Sequence, residues 1–436
     1  MLIARAEVDG RGPADVRIGD GAIVEIGSVL RPGRDEDVID AEGGALLPGL
    51  HDHHIHLRAL AASYQSVRVG PPSVGDADSF VAALRTAAAH TEPGDWVRAV
   101  GYHESVAGPL SRSVLDAAVA DRPLRVQHRS GELWVLNTLG LGAVGLDDSG
   151  VGEVWRGDSW LKTVTPPVET DFERLSREAA AFGVTGFTDA DPERTETDLD
   201  RFPSLTRQQV WFMAPPPLPG MATKVLLDDR SLPALDPLGA VFSASHGAGR
   251  PVAVHCVTRV QLVVTLAALE EVGSVPGDRI EHAAVVPPEL IPQLRRLGVT
   301  VVTQPNFVAE RGESYVADVD PDERPYLYRV ASLQRAGVPV AGGTDAPFGS
   351  PDVWAAMRAA VSRQTATGDV LGPGERVSPL AALQLFLGSP TCPGRVRRVE
   401  VGAPADLCLL RAPLAEALCA MTPDLVRLTV VDGQLV

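Results

Sequence analysis

Between about residue 47 and residue 393 the chain alternates short apolar runs with segments of helical periodicity, and this alternation restricts the fold more than any other feature. Strand-length apolar runs separated by amphipathic segments mark a parallel α/β arrangement, in which helices cover both faces of the strands. The strand-like runs are GALLPGLHDHHIH, WVRAVGYH, LRVQHR, VTGFTDA, TKVLL, PVAVHCV, RIEHAAV, VTVVTQP and VPVAGGTDA. The helical segments include SFVAALRTAAAH, DFERLSREAAAFG, VQLVVTLAALEEVG, PELIPQLRRLG and VWAAMRAAVSRQ. This count predicts a (β/α)8 TIM barrel over residues 47–393, with one strand to spare in the region 57–180. PPPLPG at 215–220 reads as a rigid loop, and the stretch near 306–327 as a further loop.

The two ends of the chain differ in style from the middle. MLIARAEV, ADVRIGDGAIVEIGSVL and DVIDAEGGALL alternate apolar and polar positions around Gly and Asp, and RVEVGAPADLCLLRA and LVRLTVVDGQLV repeat the style at the other end. Residues 1–46 and 394–436 are therefore expected to form one small composite β-sandwich domain.

Apolar content of 45% and charged content of 22% suit a globular protein with a sizeable core. A net charge of −17 lacks the basic footprint that nucleic acid or an anionic membrane requires, so neither is expected as a partner. The first residues show no basic stretch followed by an apolar run, and no apolar stretch reaches bilayer length. Cys256, Cys392, Cys408 and Cys419 have no CxxC pairing, which fits a reducing compartment. A cytoplasmic protein acting on a small-molecule substrate is expected, with self-association into a homo-oligomer left open.

Chemistry in such a barrel sits at the C-terminal strand ends. The first strand ends HDHHIH, holding four of the ten histidines. Side chains on a strand alternate faces, so Asp52, His54 and His56 share one side and His51 and His53 the other. Parity leaves two rival pairs, His51-x-His53 and His54-x-His56. Later strands contribute Lys224, His255, His282 and Asp345, one each. Taken singly, each has a bland reading: a hydrogen-bonded core histidine, an edge-strand lysine, a turn aspartate. Together with one HxH pair they form a nitrogen and oxygen ligand set suited to zinc and related divalent metals. A protonated Lys224 would repel such metals, but carboxylation by carbon dioxide converts it into a carbamate able to bridge two of them.

With these motifs in hand, the sequence resembles the amidohydrolase superfamily, whose first-strand motif appears here as Pro48, Gly49, Asp52, His54 and His56. Within it, RIEHAAVVPPELIPQLRRLGVTVVTQPNF, LQRAGVPVAGGTDAPFGSPDVWAAMRAAVSRQT, AFGVTGFTDA, VGYHES with DAAVADRPLRVQHRSGELWVLN, and VGAPADLCLL are similar to the amidohydrolase-3 branch that contains the N-substituted formamide deformylases. The resemblance implies a TIM barrel with a β-sandwich from both termini. It selects His54 and His56 as ligands, with Asp52 in support and His51 and His53 pointing away. His54, His56 and Asp345 would hold one zinc, His255 and His282 a second, and N-carboxylated Lys224 would lie between them. His103, His128 and Glu132 become candidate substrate contacts; Ser130-Gly131-Glu132 stands where relatives commonly carry Asp-Gly-His.

The activity implied is hydrolysis of the C–N bond of an amide, formamide or cyclic amide through a metal-bridging hydroxide. Asp345 would take the proton from that nucleophile and pass it to the leaving nitrogen. One rival is a mononuclear deaminase or related hydrolase in which Lys224 is idle; such deaminases often carry glutamate three residues after the fifth-strand histidine, where this chain has Thr258. Another is a non-catalytic binding protein that keeps the barrel.

Overall fold

The structure is a computed structural model that describes residues 1–146 and 150–436. Its centre is a nearly closed parallel barrel of eight strands: β1 (Leu50–Ile55), β2 (Val184–Asp189), β3 (Gln209–Ala214), β4 (Ala222–Leu226), β5 (Val252–Cys256), β6 (Arg279–His282), β7 (Thr300–Thr303) and β8 (Val340–Gly342). Neighbours in the barrel are neighbours in sequence, every pairing is parallel, and the chain beyond β8 returns to β1, where the Asp345 N–H donates to the His54 carbonyl at 2.8 Å.

Helices α1 (Phe172–Ala181), α2 (Leu235–Gly247), α3 (Arg259–Val272), α4 (Ile291–Leu297), α5 (Asn306–Asp318) and α6 (Val353–Ser362) connect or flank the strands. Their sequences explain them. In α3 the buried side chains Leu262, Thr265, Leu266 and Leu269 recur at helical spacing, and Thr258 with Gln261 closes a capping box at its start.

Two expectations need correction. WVRAVGYH and LRVQHR are strands, but they belong to another sheet, and the third barrel strand is Gln209–Ala214. Local periodicity reports a strand without reporting which sheet takes it up. Likewise α5 occupies most of the stretch read as a loop. Its sequence NFVAERGESYVAD is polar and interrupted by Gly312, which sits mid-helix because a Cβ there would come within 2.2 Å of Thr365.

Both termini meet in one eight-stranded sheet. The last part of the chain, Leu407–Leu410, pairs antiparallel with Ala45–Pro48, and Ile3, Val16, Ile23, Leu46, Leu407, Leu409 and Val430 share its core. This sheet fits the composite β-sandwich. The strand Ala45–Pro48 runs through Gly49 directly into β1, so the terminal sheet sets where the barrel begins.

Contact density divides the chain into Met1–His56 with Glu173–Val436, and Leu57–Phe172. The second unit has its own five-stranded sheet, in the order Glu153–Trp155, Leu133–Leu136, Leu124–His128, Val97–Tyr102 and Val67–Arg68, around a core that includes Phe80, Leu84, Leu115, Leu124 and Val126. Among the described residues no helix is long and apolar enough to cross a membrane.

Candidate metal centre

The geometry begins with a bulge. On β1, Asp52 pairs with Phe187 and Ile55 with Asp189, so three steps on β1 face two on β2. A bulge re-aims the side chains that follow it. Before it, the buried ring of His51 reaches Thr188 Oγ1 through Nε2 at 2.8 Å and lies edge-on to Trp211; His53, within the bulge, packs against His51 at 4.5 Å between centroids. His54, within the bulge, and His56, beyond it, turn to Asp345. The Nε2 atoms of His56 and His54 lie 3.1 and 3.6 Å from Asp345 Oδ1, and the three ligand atoms fall within 4.8 Å of one another.

Asp345 arrives by way of Gly343. A Cβ on Gly343 would come within 2.5 Å of His54 Cβ and 2.7 Å of His54 N, so only glycine lets this chain segment lie against β1. Asp345 itself and His282 adopt left-handed backbone at φ 56° and 66°. Such conformations are costly for residues with side chains and cluster at functional sites. Asp52 ties the two segments together, accepting from His54 N at 3.1 Å, Thr344 N at 3.0 Å and the Thr344 hydroxyl. Burial pushes the Asp52 carboxyl up to about 7 against those hydrogen bonds.

The remaining predicted ligands surround this group from β4, β5 and β6. The His282 ring lies 4.7 Å from that of His54 and 4.5 Å from that of His255, centroid to centroid. Burial holds His54, His255 and His282 below the ordinary imidazole range, reinforced at all three by the neighbouring Lys224 and at His54 and His255 by His282. Lys224 is buried too, which lowers its amine, with Glu281 and Asp345 opposing the shift. For Asp345, burial acts upward but is outweighed by the close approach of His56 and the other nearby imidazoles, which hold the carboxyl well below its usual range.

The amidohydrolase family model matches residues 37–436. The chain belongs to the amidohydrolase family. This amidohydrolase is 25% identical to the N-substituted formamide deformylase of Arthrobacter pascens, across 95% of this chain and 92% of that one. In structure it is similar to a metal-dependent hydrolase from Pyrococcus furiosus, with a TM-score of 0.72 at 19% identity over 95% of this chain and 99% of that one. It is also similar to a mutant atrazine chlorohydrolase from Arthrobacter aurescens, crystallised with zinc and atraton, with a TM-score of 0.60 at 15% identity over 100% of this chain and 94% of that one. The chain is thus an enzyme, an amidohydrolase-family hydrolase of carbon–nitrogen bonds other than peptide bonds, and the family is metal-dependent.

The residues of the amidohydrolase barrel fit a metal. Among the described residues His54 Nε2 and Asp345 Oδ1 are buried without a hydrogen-bond partner, a costly state unless something else satisfies them. The opposite ring atoms are engaged: His54 Nδ1 pairs with Glu281 Oε2, and His282 Nδ1 lies 2.8 Å from Gln304 Oε1. Both partners accept, which places the ring proton on Nδ1 and leaves Nε2 as a lone pair.

Glu281, Arg279 and Gln304 were not among the residues picked out from the sequence. Arg279 donates to both oxygens of Glu281 and, at 2.6 Å, to the His53 carbonyl. A signal existed. In RIEH the charged Arg279 and Glu281 alternate on one face of a fully buried strand, and the register sets Glu281 opposite His255.

In the Leu57–Phe172 unit, His103 and His128 come together, with Glu104 between them. Glu132 faces elsewhere: its Oε1 lies 2.6 Å from Arg156 Nη2.

Proposed function

We propose that this amidohydrolase cleaves the C–N bond of a small amide, formamide or cyclic amide with two zinc ions per chain. The observation that carries the reading is the buried convergence of His54 Nε2, His56 Nε2 and Asp345 Oδ1, two of these atoms lacking any hydrogen-bond partner. His54, His56 and Asp345 would hold one ion and His255 and His282 the other, with Lys224 N-carboxylated between them. When bound, the metals supply an activated water at neutral pH and polarise the substrate carbonyl. Glu281 keeps the His54 proton on Nδ1. Asp345, kept ionised by its imidazole neighbours, takes the proton of the attacking water and delivers it to the leaving nitrogen.

The tightest ligand group, His54, His56 and Asp345, would suffice for one ion, which favours a mononuclear alternative. Against a deaminase of that kind, Thr258 serves as the N-cap of α3, its hydroxyl accepting from Gln261 N at 3.2 Å. Metal analysis of active protein separates the two: a content near two per chain that falls in Lys224→Ala supports the binuclear site, and a content near one that is unchanged by the substitution refutes it. A panel of N-acyl amines, formamides and cyclic amides tests the bond class, and a metal-replete protein that turns over none of them would favour a binding role. The charge of −17 and four free cysteines support a small-molecule substrate and a cytoplasmic setting.

A further inference from the structure

We propose that the Leu57–Phe172 unit carries a second, separate divalent-cation site built from His103, Glu104 and His128. Two adjacent parallel strands, Val97–Tyr102 and Leu124–His128, end in register, Tyr102 opposite His128. Each is finished by the same three-residue pattern, His-x-Ser: His103-Glu104-Ser105 and His128-Arg129-Ser130. In both copies the ring Nδ1 lies 2.8 Å from the Oγ of the serine two residues on, and the backbone N–H of that serine approaches the same atom at 3.2 and 3.1 Å. The repeated turn fixes both rings, with centroids 5.8 Å apart. Glu104 Oε2 lies 3.1 Å from His128 Nε2 and 3.8 Å from His103 Nε2, and the three ligand atoms fall within 4.8 Å of one another.

Two imidazole nitrogens and a carboxylate oxygen around one point make a three-ligand set of the kind that binds zinc with a water in the fourth position. The imidazoles are 14% and 19% exposed and Glu104 47%, so an ion has access from solvent. Glu104 and His128 also line a small cavity of about 40 Å³.

The serines hold the rings differently in the two states of the site. Without a cation, each Nδ1 accepts the serine N–H and each Nε2–H is turned toward Glu104. With a cation, Nε2 must present its lone pair, so the ring proton moves to Nδ1, where the serine Oγ stands at hydrogen-bonding distance to accept it while the serine N–H gives up its bond to that atom. Partners that accept from the far ring nitrogen orient metal-ligating histidines generally, and the serine Oγ takes that role once the ring proton has moved. The charge of −17 further favours a cation.

The test is diffraction from full-length crystals soaked in zinc chloride, recorded on both sides of the zinc absorption edge. The expected result is an anomalous peak between His103 Nε2, His128 Nε2 and Glu104 Oε2, distinct from any in the barrel. In solution, Glu104→Gln and the double variant His103→Ala/His128→Ala, each checked for native circular dichroism, should bind about one zinc per chain less than the parent. No peak at the triad overturns the proposal. So does a peak with unchanged zinc content in both variants, which would mean binding at crystal concentration only. Because ion position and stoichiometry are read directly, failure here leaves the barrel reading untouched.

Discussion

Replacing Glu281 by glutamine tests whether the ligand set is held from behind. The substitution preserves shape while removing the charge that Arg279 and His54 share. Glu281 accepts from Arg279 Nε and Nη2 and from His54 Nδ1, and Arg279 and Glu281 are 1% and 0% exposed in their side chains. A glutamine has a single oxygen to offer: turned to Arg279 it presents its NH2 group to the His54 ring, and turned to His54 it leaves the guanidinium with the His53 carbonyl and no counter-charge. Removing one partner of a buried ion pair costs about 3 to 5 kcal/mol. The surviving amide acceptor and the 2.6 Å bond to His53 put Glu281→Gln at the lower end, about 3 kcal/mol. Loss of an outer-shell carboxylate weakens metal binding roughly 10- to 100-fold, or about 1.4 to 2.7 kcal/mol at 1.36 kcal/mol per tenfold.

The assay is competition for zinc with a chromophoric chelator, run on parent and variant alongside denaturant unfolding of the metal-free proteins. Affinity should drop by at least about tenfold, and the metal-free variant should unfold at lower denaturant. Glu281→Asp keeps the charge and should recover part of the stability. A natively folded Glu281→Gln that binds zinc as the parent does would refute the claim that Glu281 sets the His54 tautomer.

Other perturbations probe neighbouring features. Gly343→Ala would put a methyl group 2.5 Å from His54 Cβ; it should destabilise the protein by about 1 to 3 kcal/mol or more and deplete barrel zinc, as elemental analysis would show. His54→Ala should lose metal and His53→Ala should retain it, because His53 stacks on His51 and not on the Asp345 group; the reverse pattern would overturn the ligand assignment. Acidification should destabilise the metal-free protein. Burial, with the charges of Arg397 and Arg279, holds His51 and His53 well below the ordinary imidazole range. Between that depressed value and about 6.5 the unfolded chain binds more protons than the folded one. Stability therefore rises with pH across this window and falls on acidification, by up to about 1.4 kcal/mol per pH unit for each histidine. Unfolding free energies measured down from neutral pH should show this slope, and an equally steep slope in a folded His51→Asn/His53→Asn variant would refute the assignment.

How much of this was legible in the sequence depends on the kind of information each feature needs. The barrel and the terminal sheet were readable because alternation and helical spacing are local, and α3 and α6 fall on their periodic segments. Sheet membership was not: Val97–Tyr102 and Leu124–His128 look like barrel strands and pair elsewhere, while Gln209–Ala214 completes the barrel without a sharper pattern than theirs. Downstream, Lys224, His255, His282 and Asp345 could be picked out because strand ends are where a barrel exposes chemistry. The supporting residues required tertiary knowledge, since Glu281 is separated from His54 by 227 residues and Asp52 from Thr344 by 292.

The limit shows best in HDHHIH. Strict alternation assigns His51 and His53 to one face and His54 and His56 to the other, and so treats the two pairs as mirror images across the strand. The bulge between Asp52 and Ile55 removes that symmetry. His51 lies against Thr188 and Trp211 of the adjoining barrel strands, while His54, within the bulge, and His56, beyond it, reach Asp345. The pairs therefore differ in depth along the strand as well as in face, and the later pair is the one that meets Asp345, just beyond β8. Because the Asp52 carboxylate binds the backbone of both His54 and Thr344 at the bulge, the same residue that sets the motif's register also sets the depth at which its histidines emerge.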